Sequence, residues 1–168
     1  MSMISKEFVI TLANYNIWQN EAIYGAADNL NDADRKRNLG VFFQSIHQTL
    51  NHLFWGDSTW LCRFTQQPYN NIGIESSVDL FDNWEKLKEA RYLLDQEIMD
   101  WANHLKEDWL SELVFYHNSK NLPRRKKADM LVTHFFNHQT HHRGQVHAML
   151  THYQIPTQDT DLILLPVV

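Results

Sequence analysis

Apolar residues recur along this chain at three- and four-residue intervals in four long stretches, each closed by turn-forming residues. In the first, Ser5 to Leu30, the residues Phe8, Val9, Leu12, Ile23, Ala27 and Leu30 share one face. That spacing is the mark of an amphipathic helix. Asn31-Asp32-Ala33-Asp34 ends it with turn chemistry. The second, Leu39 to Thr65, puts Phe42, Phe43, Ile46, Leu50, Leu53, Phe54, Leu61 and Phe64 on one side. Pro68-Tyr69-Asn70-Asn71-Ile72-Gly73 then breaks the period. The third runs from Val78 to Lys106 with Leu80, Trp84, Leu87, Arg91, Leu94, Ile98, Trp101 and Leu105 in line, Arg91 being the polar member. Asp79 or a preceding serine is placed to cap it. The fourth runs from Lys127 to Tyr153, ahead of Pro156.

Between the third and fourth stretches, Leu113-Val114-Phe115-Tyr116 favours extended structure and is followed by the turn residues Asn118-Ser119-Lys120-Asn121. A small hairpin is predicted there. Four long amphipathic helices without strong strand signals predict an all-α four-helix bundle. The 168 residues, without internal repeat or low-complexity segment, read as one domain over 1–168.

Composition narrows the function. The 43% hydrophobic and 21% charged residues are ordinary for a globular domain. A net charge of −5 leaves no broad basic surface for a phosphate backbone, which argues against a nucleic-acid partner. The one basic run, Arg124-Arg125-Lys126-Lys127, reads as a solvated loop or turn. A single cysteine excludes an internal disulfide and a multi-cysteine zinc site. That residue, Cys62, sits near Leu61 and Phe64 and is expected to be a buried structural thiol. No stretch approaches the roughly twenty apolar residues of a membrane span, and Met1 to Lys6 shows no signal-peptide pattern. The expected location is the cytoplasm.

Histidine is the outlier, with ten copies. His134, His138, His141 and His142 crowd into the fourth helix. Its apolar arc is drawn by Leu131, Val132, Phe135, Phe136, Val146, Met149, Leu150 and Tyr153. His142 falls inside that arc and His138 at its edge, whereas His134 and His141 lie further round. Two imidazoles one helical turn apart can converge on one metal ion, but a third ligand must come from elsewhere. The competing reading is a pair of hydrogen-bonded core histidines. The second helix offers His47, at the margin of its apolar arc, and His52, in a small polar stripe with Ser45, Gln48, Gly56 and Thr59. Periodicity favours His47, and spacing alone leaves the choice open.

Several other polar residues bear on the site. Asp57 and Asn16 fall within apolar arcs, and they are expected to bond each other or a backbone group across the seam between helices one and two. Gln145 lies one turn beyond His142, within reach of it. Gly144 and Ala148 would permit close helix approach. Arg143 is expected at the surface, and Trp55 and Trp60 in packing. Asp57 and Glu21 are the carboxylates considered for a general base; no residue is assigned as catalytic. Trp18, outside the main arcs, points to a helix-mediated homodimer.

The segment His138-Gln139-Thr140-His141-His142-Arg143-Gly144-Gln145 resembles the fourth-helix signature of the DinB/YfiT-like family of metal-dependent enzymes. Tyr15-Asn16-Ile17-Trp18-Gln19-Asn20 is similar to the family's first helix. Thr49-Leu50-Asn51-His52-Leu53-Phe54-Trp55-Gly56-Asp57, followed by Trp60-Leu61, resembles its second. Asp159-Thr160-Asp161-Leu162 resembles its C-terminal end. The resemblance covers nearly the whole chain. It implies an up-down-down-up bundle holding a divalent transition metal (Zn, Ni, Fe or Mn) on three histidines. Carried over by position, these are His52, His138 and His142, so the resemblance selects His52 where periodicity favours His47. It also implies a small-molecule substrate and either a hydrolase or a transferase using a low-molecular-weight thiol. The alternative is a non-catalytic, stress-response protein with a structural metal.

Overall fold

Ser5 opens the first helix because its extended backbone lets its hydroxyl accept the Phe8 N–H, filling one of the free donors of the first turn. In the computed structural model, which describes residues 1–69 and 72–166, α1 spans Lys6–Ala27 and α2 is a single turn, Asp32–Arg35. The other long helices are α3 (Ile46–Thr65), α4 (Trp84–His104) and α5 (Ala128–His152). A two-stranded antiparallel hairpin, β1 (Leu113–His117) with β2 (Pro123–Lys127), fills the connection before α5. The basic run is therefore solvated as expected, but it is a strand and not a loop.

Two expected helix starts move. The second helix begins at Ile46, not Leu39. Ser45 caps it by accepting the Gln48 N–H, and Gly40 and Gln44 take positive φ angles of 72° and 64° that end any right-handed helix upstream. Phe42 is thereby thrown out to 80% exposure while Phe43 turns inward. The third helix begins at Trp84, where Asn83 accepts the Lys86 N–H. Asp79 and the serines before it belong instead to a 3-10 turn, Ile74–Asp79. Of the predicted break after Pro68, Asn70 and Asn71 lie outside the described residues.

Pairwise contacts give the directions. Trp84 of α4 donates to Asp28 at the end of α1, and the Lys6 N–H at its start bonds Glu107 just beyond α4, so α1 and α4 are antiparallel. His47 lies by Trp84 and Phe64 stacks on Trp101, so α3 and α4 are parallel. His52 meets His142 and Trp60 meets His134, so α5 runs against α3. This is the up-down-down-up bundle. Its parallel α3–α4 connection must travel back along the bundle, and Asn51 straps that crossover to α3 by accepting the Phe81 N–H at 2.8 Å.

Apolar side chains form two clusters. One gathers Val9, Leu61, Phe64, Ile98 and Phe135; the other gathers Ile23, Ile46, Leu50, Leu87 and Leu150. Full burial of such side chains contributes about 1.5–3 kcal/mol each. The core also contains a layer of buried polar groups. Arg91 reaches Asp57 and Asp95, each at 2.7 Å. Asn16 and Asn20 donate to Asp95 at 2.9 and 3.0 Å, and Arg143 donates to Asn16. Two expectations are corrected here. Asp57 and Asn16 do not bond each other, because each finds its partner across a helix seam toward α4. Arg143 is only 5% exposed, because α5 packs on both α1 and α3 and so buries a wider arc than its apolar residues draw. Among the described residues no helix is long and apolar enough to cross a membrane.

Candidate metal centre

The small polar stripe of α3 faces α5. Gly56 is the point of closest approach: a Cβ built there would lie 2.7 Å from Cε1 of His138. Only glycine lets that imidazole rest against the α3 backbone. Gly144, expected to serve this purpose, has nothing near it that a Cβ would meet. One turn before Gly56, His52 projects into the same seam and is 4% exposed. His142, 7% exposed, and the half-buried His138 reach it from α5.

The three imidazoles converge. Ring centroids are separated by 4.8 Å for His52 and His142, 5.4 Å for His52 and His138, and 4.4 Å for His138 and His142. One nitrogen from each lies within 4.8 Å of the other two. The Nε2 atoms of His138 and His142 are 3.0 Å apart.

Hydrogen bonds set two of the tautomers. Ser77, on the 3-10 turn of the crossover, donates its hydroxyl proton to the Ile74 carbonyl at 2.5 Å. Its oxygen then accepts from Nδ1–H of His52 at 2.8 Å. Gln145 accepts from Nδ1–H of His142 at 2.8 Å, and its amide nitrogen faces His141 at 3.2 Å. With the proton on Nδ1, each ring keeps a bare Nε2 lone pair. The contact between His138 and His142 is a hydrogen bond only while His138 carries its proton on Nε2; otherwise two lone pairs face each other.

Burial disfavours the imidazolium at all three positions. It pushes His52 and His138 down to about 3, with the neighbouring His142 adding repulsion to both. His142 is lowered chiefly by burial, partly offset by its bond to Gln145. Three neutral imidazoles are the form a metal ion requires. Phe43 walls the cluster, stacked on His52 at 3.9 Å, and Trp55 lies 5.5 Å from the same ring.

The other candidates stand apart. His47 donates from Nε2 to the Phe81 carbonyl at 2.7 Å and lies outside the cluster. His134 sits edge-on to Trp60, its ring 6.0 Å from that of His138. Asp57 is held by Arg91, and Glu21 is exposed on the α1/α4 side, so neither carboxylate is part of the cluster. Cys62 is half-buried, and burial raises its thiol, which opposes thiolate chemistry there. Ser77, Phe43 and the role of Gly56 were missed in the sequence reading. A glycine one turn after His52 was a usable signal; a serine in an irregular crossover offered none.

The family model described as the DinB family matches residues 1–154. Protein DinB of Bacillus subtilis (strain 168) is 23% identical over 164 residues, covering 92% of this chain and 91% of that protein.

Proposed function

The chain belongs to the DinB family, and from that premise we propose that it holds a divalent transition ion between His52, His138 and His142 and uses it on a small molecule. The convergence of three imidazole nitrogens within 4.8 Å carries this reading. The donor set fits the group: neutral imidazole suits zinc, nickel, iron and manganese, and leaves the ion its full charge. When bound, such an ion lowers the pKa of a water or thiol, or polarises a carbonyl.

The chain's own residues supply the rest. Ser77 and Gln145 hold the Nδ1 protons of His52 and His142, turning their Nε2 lone pairs inward. Phe43 and Trp55 shield the α3 side from water. Among the described residues the cluster offers three candidate ligands and no fourth, the number that leaves a position for substrate. This weighs against the alternative of a structural metal in a non-catalytic protein, since His47 is committed to Phe81. The reaction classes in view are hydrolysis by an activated water and transfer to an activated low-molecular-weight thiol.

Metal analysis of protein purified without a polyhistidine tag is the direct test. About one equivalent is expected after reconstitution, and less than about a tenth overturns the reading. Cobalt-loaded protein then separates the two reactions. A new thiolate charge-transfer band on adding a small thiol favours the transferase; an unchanged spectrum with turnover of esters or amides favours the hydrolase.

A further inference from the structure

Between the C-terminal halves of α3 and α4 lies an open cavity of about 850 Å³. Leu61, Phe64, Trp101 and Trp109 give it an apolar lining, and the exposed carboxylates Glu97 and Asp100 stand at its rim. Lys106 is the cation in that lining. Nothing in the chemistry of the histidine centre uses this cavity.

A surface of opposite character adjoins it. Trp109 belongs to the 3-10 turn Glu107–Ser111, which runs straight into β1. Leu113 pairs with Lys127 and Phe115 with Arg125, and cross-strand partners share a face. One face of the hairpin therefore presents Leu113, 52% exposed, and Phe115, 66% exposed, flanked by two cations. The hairpin is held firmly: Arg63 of α3 donates to the His117 carbonyl at 2.6 Å and stacks over Trp60 and Tyr116. On a chain of net charge −5 this is a cationic and apolar island.

We propose that the hairpin face of one copy seats in the α3/α4 cavity of a second copy. Phe115 meets the apolar lining, and Arg125 and Lys127 meet Glu97 and Asp100. In this arrangement one twofold axis relates the two contacts. The exchange is then reciprocal and closes as a dimer instead of growing a filament. Pairing covers Leu113 and Phe115, which a lone chain leaves in water. The contact differs from the dimer expected through Trp18, whose ring is half-buried edge-on to Tyr15 at 5.9 Å.

Sedimentation equilibrium of the full chain tests this. The expected mass is that of two 20.0 kDa chains. Arg125→Glu with Lys127→Glu weakens association at least about tenfold, as does Glu97→Lys with Asp100→Lys, by setting like charges against each other. Combining all four substitutions recovers most of the loss. Far-ultraviolet dichroism checks that each variant keeps its helices. On the unaltered protein, Cys62 lines the cavity and is the only thiol, so its alkylation slows as protein concentration rises. A single-chain mass at every concentration overturns the proposal. So does a dimer indifferent to both reversals, a combined variant no tighter than either pair, or alkylation independent of concentration.

Discussion

Two buried polar regions lie back to back across α3. Gly56 meets His138 on one side, and the next residue, Asp57, turns to Arg91 on the other. The ionic layer is balanced in charge: two carboxylates, Asp57 and Asp95, lie with two guanidiniums, Arg91 and Arg143, and Asn16 and Asn20 donate to Asp95, while Asp57 Oδ1 and Arg91 Nε find no partner. The histidine centre has no counter-charge: Ser77 and Gln145 accept the Nδ1 protons of His52 and His142, whereas Nδ1 of His138 has no partner and its Nε2 faces that of His142. Both regions bury polar groups at a cost. Only the first offsets its charges within the chain, and the second offers imidazole lone pairs of the kind a cation takes. A buried polar cluster thus reads as structure when its charges offset each other, and as a candidate ligand site when neutral donors converge on one point.

The sharpest way to break this contrast is Arg91→Met. It removes the guanidinium that pairs directly with both buried carboxylates, leaving only Arg143 near them, and should cost about 3–5 kcal/mol in urea unfolding. A loss below about 1 kcal/mol means that the layer is not held by charge balance. Next, His52→Ala, His138→Ala and His142→Ala should each weaken metal binding by about a thousandfold in competitive titration, three ligands being the minimum of an open site. His47→Ala should leave it unchanged; equal loss at His47 would relocate the centre.

Acid should separate the regions further. His52 and His138 are held down to about 3 in the folded chain, against 6.5 for a free imidazole. Between those values the unfolded chain binds more protons, so stability is full above 6.5 and is lost as pH falls toward 3. The slope of metal-free protein is expected to reach about 1.4 kcal/mol per pH unit for each imidazole. Asp57, which burial raises to about 6, titrates in the same range with the opposite sign, so the test is a difference. Urea midpoints from about pH 7.5 to 5.5 should fall less steeply with acid in His138→Leu than in the unaltered protein. Equal slopes in the two proteins would contradict neutral burial of His138.

Smaller effects test the geometry. Gly56→Ala crowds His138 while improving helix propensity, so metal affinity should fall about 10- to 100-fold with little change in stability. Ser77→Ala should cost about tenfold in affinity by freeing the His52 ring, and Ser77→Thr should restore most of it.

The helical period was legible where a helix packs along its whole length. The α5 boundaries agree with the expected ones to a residue at each end. It misled at the start of α3, where Phe42 and Phe43 kept the period although Gly40 and the Ser45 cap deny the helix. Asp57 was legible as a buried charge, and Arg91 as a polar residue in an apolar line. Their pairing was not, because a helical wheel gives a direction but not the neighbour that lies along it.

By itself the sequence determined four amphipathic helices, a hairpin, and two inward histidines one turn apart, since these depend on local periodicity. Tertiary structure decided that His52 and not His47 joins them, that Gly56 makes room and that Ser77 orients the ring. Those outcomes depend on the antiparallel register of α3 against α5 and on the path of the crossover, which bring together residues far apart in the chain.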